Sequence, residues 1–232
     1  MYLLTETASP FALERWAAFF ANFGQFAKGF FYTLGISIGA LIVALLLGLI
    51  FGAMSSTHNK VLRGISRVYV EIFQNTPLLV QFVVVFYGIS ILTDGHVMIP
   101  ISLTAILCVG VYTGAYISEI IRTGIEAVPK GQTEAALSQG FTYADTMRII
   151  ILPQAVRTIL PPLTNQVVNL IKNTSTVAII SGADIMFTAK AWAYDTTNYV
   201  SAFAGAAFLY FIMCFPLATW ARRKEEENKK AY

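Results

Sequence analysis

Charged side chains are scarce in this chain. Asp, Glu, Lys and Arg make up 12% of its 232 residues, whereas a soluble domain of this size carries about 25%. Four stretches contain no charged residue at all, at 29–59, 72–93, 95–118 and 196–221. Each exceeds the roughly 20 residues with which a helix crosses a bilayer. The deficit therefore argues against a soluble domain and predicts that lipid surrounds most of the chain.

A fifth apolar stretch, 158–187, is broken up by polar and proline residues. These are Pro161, Pro162, Asn165, Gln166, Asn169 and Lys172. Together the five stretches predict an all-α membrane protein with five transmembrane helices. We place them at about 30–54, 68–92, 101–121, 158–187 and 198–221.

Cysteine is nearly absent, and catalytic side chains are missing from the apolar stretches. Cys108 and Cys214 lie in separate spans without the spacing of a metal site or a disulfide framework. No Asp or His lies well inside a predicted span, which argues against a membrane protease built on a Ser/His or two-Asp pair. We predict no catalytic residue, no metal ligand and no cofactor in this chain.

The first 27 residues lack the basic start and the short apolar core of a secretory signal peptide. Ser9 and Pro10 suit the cap and the first position of a helix. An apolar face follows, formed by Leu13, Trp16, Ala17 and Phe20 and widened by Phe19, Phe23 and Phe26. Residues 1–27 are predicted to form an interfacial segment, although a plain extension of the first span fits the pattern equally well.

Lysine and arginine predict the orientation. Twelve of the 16 basic residues fall on one side of a five-span chain: Lys60, Arg63, Arg67, Arg122, Lys130, Arg148, Arg157, Arg222, Arg223, Lys224, Lys229 and Lys230. Because positive loops stay in the cytoplasm, the N-terminus is predicted outside and the tail 222–232 in the cytoplasm. These cations bracket spans and form no separate basic domain, so nucleic acid is not a predicted partner.

Two short ion pairs are predicted near span ends. Arg67 and Glu71 are four residues apart, and Glu119 and Arg122 are three apart, which are the spacings of neighbours on one helix face.

The loop between the third and fourth spans has the pattern of two short helices. Lys130 follows Pro129 and starts the first helix, which Gly140 can close in a left-handed conformation. Thr142 can cap the second helix, and Asp145 completes a capping box. Pro153 is expected to interrupt this helix before the fourth span. Such a bent element could dock in a groove of another protein or serve as a structural loop, and physics alone leaves both open.

The sequence of this loop resembles a known family. Seven residues, Glu134, Ala135, Ala136, Gly140, Ile150, Leu152 and Pro153, resemble at this spacing the EAA motif of permease subunits in binding-protein-dependent ABC importers. The segments NTPLLVQ at 75–81, SEIIR at 118–122, VPKGQ at 128–132 and IKNTS at 171–175 resemble the polar amino acid branch. The resemblance covers residues 28–221. Gln74 is a departure, because many members of the branch carry Arg there.

The resemblance implies a transport assembly. It assigns residues 28–221 to the transmembrane domain of an ABC importer in the bacterial plasma (inner) membrane, with a cytoplasmic coupling loop at about 123–157. It implies a second permease subunit, two ATPases that bind ATP and Mg and dock on the loops, and an extracytoplasmic amino-acid-binding protein. The chain itself lacks a G-x-x-x-x-G-K-[ST] phosphate loop. The alternative is an ion-coupled carrier or channel without an ATPase, which needs no docking loop and often shows an inverted repeat.

Polar residues in the spans are candidates for the substrate path, because they are costly in a bilayer. Gln166 and Asn169 are one helical turn apart, with Asn165 beside them, and Gln81 and Thr76 lie on the second span. Their alternative role is to hold helices together by hydrogen bonds. Importers of cationic amino acids in the resembling family carry Glu at the position of Gln166. A neutral Gln there therefore favours a neutral or acidic amino acid.

Overall fold

Helices account for the regular structure. The computed structural model describes residues 9–230, and within that range it contains helices and turns but no strand. The α-helices are α1 (Leu13–Ala21), α2 (Phe23–Ser55), α3 (Lys60–Gln74), α4 (Leu78–Val83), α5 (Ile89–Leu92), α6 (Ile101–Glu126), α7 (Lys130–Ser138), α8 (Tyr143–Asp145), α9 (Leu152–Asn173), α10 (Ile185–Thr196) and α11 (Tyr199–Lys230). Val84–Gly88 and Thr146–Ile151 are π-helical, and Thr174–Ile180 is 3₁₀-helical. The all-α prediction is confirmed.

The described residues divide into two units. The first contains residues 9–40, Leu78–Cys108 and Ile171–Pro216, and the second contains Leu41–Pro77, Val109–Leu170 and residues 217–230.

An aromatic cluster forms the core of the first unit. Phe19 of α1, Phe26 of α2 and Trp192 of α10 are buried and pack edge to face, with ring centroids 4.7 to 6.1 Å apart. Gly205 of α11 permits this packing, since a Cβ at that position would lie 2.3 Å from the Phe19 ring. The apolar face predicted around residues 13–26 therefore packs through Phe19 and Phe26, while Leu13 is exposed.

In the second unit, side-chain hydrogen bonds to backbone carbonyls tie α3 to its neighbours. Ser66 donates to the carbonyl of Phe51 at 2.7 Å, and Tyr69 donates to the carbonyl of Val111 at 2.7 Å. The rings of Phe51 and Tyr69 also stack, with centroids 4.0 Å apart. These contacts orient one face of α3 inward.

Three α-helices are long and apolar enough to cross a membrane: α2, α6 and residues Tyr199–Lys224 of α11. A fourth candidate, Lys60–Gln74 with Leu78–Leu92, counts only if the broken pair forms one span. The predicted helix 68–92 is therefore not continuous, because the chain leaves helical structure between Gln74 and Leu78. The number of five spans and the orientation stay predictions.

The predicted helix 158–187 is also wrong as a single element. The α-helix α9 ends at Asn173, 3₁₀ turns continue to Ile180, and Ser181 adopts a left-handed conformation with φ 61°. A new helix, α10, begins after Asp184. The composition did not predict this break, because the residues before and after it are similarly apolar.

The expected helix start at Ser9 and Pro10 is wrong by three residues. The backbone N–H of Ala12 donates to the carbonyl of Ser9 at 2.9 Å and closes a turn, and α1 begins at Leu13 without a side-chain cap. The boundary at residue 27 of the predicted interfacial segment falls inside α2. Residues 1–8 of that segment, and 231–232 of the predicted tail, lie outside the described residues.

Candidate coupling loop and transport path

The turn after α7 has the geometry predicted from its glycine. Gly140 has φ +87°, its N–H donates to the carbonyl of Leu137 at 3.1 Å, and the N–H of Phe141 donates to the carbonyl of Ala136 at 3.2 Å. These two bonds are those of the Schellman motif, which ends a helix and satisfies its last carbonyls. The chain consequently bends at Gly140.

The start of α8 is capped as predicted. The Thr142 hydroxyl oxygen accepts from the backbone N–H of Asp145 at 3.2 Å, and this hydroxyl donates to the Asp145 carboxylate at 2.6 Å. The carboxylate thus contacts the capping side chain, whereas in the usual capping box it contacts the backbone N–H of the cap.

The seven EAA residues divide between an outer and an inner surface. Glu134, Ala135, Gly140, Leu152 and Pro153 are exposed, Ile150 is half-buried and Ala136 is buried. Helix α7 packs against the π-helical segment Thr146–Ile151. The result is a bent, two-helix projection whose exposed residues include the acidic Glu134 and the small Ala135, a shape that can enter a groove.

The expectation that Pro153 interrupts the second helix is wrong. Helical structure continues from Tyr143 through Thr146–Ile151 into α9. The π-helical segment changes the hydrogen-bond pattern just before the proline, and the Gln154 side chain donates to the carbonyl of Ile150 at 2.8 Å. Proline has no backbone N–H to donate within the helix. Close to Pro153, the side-chain amide of Gln154 supplies a donor to a backbone carbonyl instead.

Among the candidate path residues of α9, the structure brings Gln166 and Asn169 together. The Asn169 amide donates to the Gln166 side-chain oxygen at 3.4 Å. Gln166 is 9% exposed, while Asn165 and Asn169 are exposed. Buried Gln166 therefore makes a contact within the helix, and the exposed asparagines are the more accessible polar groups.

The two candidates from the predicted second span have different surroundings. Thr76 is exposed, and its hydroxyl donates to the carbonyl of Ile72 at 2.8 Å. Gln81 lies in α4 and is half-buried, and its backbone carbonyl is 4.0 Å from the Cys108 sulfur. Thr76 belongs to the second unit and Gln81 to the first.

Both predicted ion pairs are confirmed. Arg67 contacts Glu71 at 2.7 Å, and Arg122 contacts Glu119. Arg122 also contacts Glu126 at 2.6 Å, so one guanidinium serves two carboxylates. Gln74, the departure from the branch, donates to the carbonyl of Ala115 at 3.2 Å, which gives this neutral side chain a structural contact.

The role of Asp184, which falls inside the predicted helix 158–187, was missed in the sequence analysis. Asp184 is fully buried, and its carboxylate accepts from the backbone N–H groups of Met186 and Phe187 at 3.1 and 3.0 Å. An Asp directly before an apolar helical run is a recognisable cap signal. The third donor, the Tyr210 hydroxyl at 3.1 Å, gives no such local signal.

Metal ligands do not cluster in the described part of the chain: residues 9–230 contain no group of three His, Cys, Asp or Glu side chains close enough to hold an ion. The features present are apolar helices, polar side chains on a long helix, and a bent, largely exposed loop. They define a membrane component of a transport system.

The family follows from a direct match. Residues 44–225 match the model of the binding-protein-dependent transport system inner membrane component. The chain belongs to this family and is a permease subunit of an amino acid ABC importer in the inner membrane. The match gives no support to an ion-coupled carrier or channel.

Named relatives agree with the family. The chain is 37% identical over 216 residues to the probable glutamine ABC transporter permease protein GlnM of Bacillus subtilis (strain 168), covering 92% of this chain and 97% of the relative. It is 33% identical to the glutamate/aspartate import permease protein GltJ of Escherichia coli (strain K12), covering 82% and 85%. A crystal structure of an amino acid ABC transporter with histidines matches with TM-score 0.84 at 31% identity, over 91% of this chain and 98% of that one.

Proposed function

We propose that this permease moves a polar L-amino acid, neutral or acidic rather than cationic, into the cytoplasm. The observation that carries the preference is Gln166, a buried amide without formal charge. The positions one turn away on α9 are Pro162, Leu163, Asn169 and Leu170, so no carboxylate on that face complements a cationic side chain. Two relatives, named for glutamine and for glutamate/aspartate transport, support the same preference.

Within this proposal, the exposed amides of Asn165 and Asn169 contact the amino acid, and Gln166 positions Asn169 through their hydrogen bond. Amide groups both donate and accept, which suits a substrate with an ammonium and a carboxylate group. Thr76, which precedes α4, is the further contact that we propose.

Coupling runs through the bent loop. Two ATPases bind ATP and Mg and receive the exposed residues Glu134, Ala135 and Gly140 in a groove. Leu152 and Pro153 flank the same projection. Since α7 packs on Thr146–Ile151, which continues into α9, a displacement of the loop is transmitted to a long helix. The chain supplies the moving element, and its partners supply the hydrolysis.

The proposed membrane topology has five spans. They are α2, the segment containing α4 and α5, α6, α9 with its 3₁₀ extension, and α11. The N-terminus lies outside and the C-terminus in the cytoplasm, where the basic residues collect. A second permease subunit completes the path, and an extracytoplasmic binding protein delivers the amino acid.

The test is uptake by the assembled transporter in proteoliposomes, with glutamine, glutamate and arginine as competing substrates. We expect the wild type to prefer glutamine or glutamate. Gln166→Glu places a carboxylate in a buried site, at a cost of several kcal/mol if it stays unpaired. Uptake of the preferred substrate should fall about tenfold or more, since about 1.4 kcal/mol corresponds to a factor of ten.

The matched control is Gln25→Glu, the same chemical change at an exposed position of α2. It should leave the uptake profile unchanged. If Gln166→Glu and wild type transport all three amino acids alike, Gln166 only holds helices together. If arginine is the preferred wild-type substrate, the proposed selectivity is wrong, although the family assignment stands.

A further inference from the structure

The 3₁₀-helical segment that continues α9 is unusually long. It covers seven residues, Thr174–Ile180, and follows α9 without a break, whereas 3₁₀ runs beyond three or four residues are uncommon because their hydrogen-bond geometry is poorer. Five of the seven residues are β-branched, which lowers the preference for an α-helix, but none is glycine or proline, the residues that disrupt one. The sequence therefore permits either helix type, and packing decides between them.

Burial in this segment repeats at every third residue. Thr174, Val177 and Ile180 are 0%, 0% and 1% exposed, while Ile179 is 46% exposed. At three residues per turn the three buried side chains form one row, whereas in an α-helix they would spread over about 120°. The segment packs against α4 and α10. The 3₁₀ form thus buries a row of side chains that an α-helix would partly turn outward.

Two hydroxyl groups stabilise the start of the segment. Thr174 donates to the carbonyl of Ile171 at 2.6 Å, and Ser175 donates to the carbonyl of Lys172 at 2.8 Å. In an α-helix each of these carbonyls accepts the backbone N–H of the residue four positions further on. The hydroxyls compete with those N–H groups and therefore favour the departure from α-helical structure.

The far end of the segment is fixed within the first unit. Ser181 is left-handed with φ 61°, and the N–H of Gly182 donates to the carbonyl of Val177 at 3.2 Å. This approach is so close that a Cβ on Gly182 would lie 2.1 Å from a Val177 methyl group. Asp184 then caps α10 and accepts from the Tyr210 hydroxyl. A change in the length of the segment would therefore act on its other end, which continues into α9.

We propose that Thr174–Ile180 is a switch segment, which changes from 3₁₀ to α-helical structure when the assembled transporter binds ATP. Each residue that changes shortens the segment by about 0.5 Å and turns the adjoining α9 by about 20°. Three residues thus turn α9 by about 60°, which reorients Asn165 and Asn169, and all seven shorten the segment by about 3.5 Å. The switch rests on the proposed coupling, because displacement of the loop reaches the segment through α9.

Distances between spin labels test the switch. In a background without Cys108 and Cys214, labels are attached to Lys172→Cys and Lys190→Cys, at exposed positions before and after the switch segment. The assembled transporter is measured in nanodiscs without nucleotide and with a non-hydrolysable ATP analogue. We expect the separation to change by about 2 to 3.5 Å, as four to seven residues change helix type.

Two further label pairs locate the movement. The N–H of Ile185 donates to the Thr33 hydroxyl oxygen, which ties α10 to α2. The pair Lys28→Cys with Lys190→Cys, at exposed positions on these two helices, is the control and should keep its separation. The pair Gln132→Cys with Lys190→Cys reports whether α7 of the coupling loop moves at all, and its separation should respond to the nucleotide.

Variants test whether the helix type is what changes. T174A/S175A removes both hydroxyl bonds and places alanine, the best α-helix former, at both positions. The separation across the switch segment without nucleotide should therefore shift toward the value with the ATP analogue. T164A is the matched control, since it removes a hydroxyl bond that reaches back four residues to Leu160 within α9, and it should keep the wild-type separations. If the double variant folds poorly, S175A alone, at a half-buried position, should shift the separation in the same direction.

Four results would contradict the switch. An unchanged Lys172/Lys190 separation beside a changed Gln132/Lys190 separation would leave the coupling standing and show the segment to be rigid. No change in either pair would remove the proposed coupling as well. A change of equal size in the Lys28/Lys190 pair would place the movement in α10. Wild-type separations in the alanine variants would exclude a change of helix type. None of these measurements depends on which amino acid is transported.

Discussion

At Asp184 a single carboxylate satisfies three donors. It accepts from two backbone N–H groups at the start of α10 and from the Tyr210 hydroxyl. The Thr33 hydroxyl oxygen accepts the N–H of Ile185, so a third helix contributes to the same helix start. All of these groups are partly or fully buried. A donor that lost its hydrogen-bond partner here would therefore destabilise the fold by its full desolvation free energy.

We therefore expect Asp184→Ala to destabilise the protein by about 1–3 kcal/mol. The variant loses the cap of α10 and leaves the Tyr210 hydroxyl without its acceptor on Asp184. Thermal unfolding in detergent measures the effect. Asp195→Ala, at an exposed position of the same helix, is the control and should unfold at the wild-type temperature. Equal unfolding temperatures for the two variants would show that the Asp184 contacts contribute nothing.

The sequence predicts a role for the buried residue Gln166 but not for the buried residue Asp184. Gln166 was found because an amide in an apolar run is conspicuous. The role of Asp184 could not be predicted because its partner Tyr210 lies 26 residues further along the chain. Thr33, which accepts from the N–H of Ile185 at the same helix start, lies 152 residues before Ile185. Single-sequence patterns carry short-range information, so such long-range partners do not appear in them.

At the scale of elements, the proposed coupling depends on the bend between α7 and α8. This bend requires one backbone conformation, the left-handed one at Gly140, in which a β-branched residue is a strong outlier. No atom lies near the position that a Cβ would take, so a substitution there acts through the backbone alone.

Gly140→Val should leave the protein inserted in the membrane but reduce coupled uptake at least about tenfold. The strain of the left-handed conformation is about 1–2 kcal/mol for a residue with a Cβ, and its relief would change the angle of the bend. Uptake and ATP hydrolysis are measured together in proteoliposomes. Gly131→Val, also with no neighbouring atoms at its Cβ position, is the matched control on α7. Normal uptake by the Gly140 variant would contradict a docking role.

The elements that could be predicted are those with local signals. The helix after Pro129, the bend at Gly140 and the cap at Thr142 all follow from residues within a few positions. The π-helical segment and the continuation through Pro153 could not be predicted, because they depend on how α7 packs against Thr146–Ile151. Likewise, the break after Ile180 lies in an apolar run whose composition does not reveal it.

At the scale of the whole molecule, the distribution of cations is the basis for the proposed orientation. The prediction is tested with single cysteines in a background that lacks Cys108 and Cys214. Asp195→Cys should react with an impermeant thiol reagent applied outside intact cells, and Lys130→Cys should not. Asp94 is a poorer site for this test, since its φ of 49° would strain a cysteine.

Both cysteines should react once the membrane is permeabilised, which controls for local accessibility. Labelling of Lys130→Cys alone in intact cells would reverse the orientation. The family assignment would be unaffected, but the docking loop would then face away from the ATP-bearing side.

The π-helical segment Thr146–Ile151 has a consequence for changes in chain length. A π-helical turn holds about one residue more than an α-helical turn. Deleting one residue here, such as exposed Ile149, would convert the segment to an ordinary helix and keep Ala155 and Ile159 facing inward. The same deletion after Ala155 would rotate Ile159 and Gln166 by about 100°. The continuous helical run from Tyr143 into α9 thus contains one extra residue, placed between the bend at Gly140 and α9.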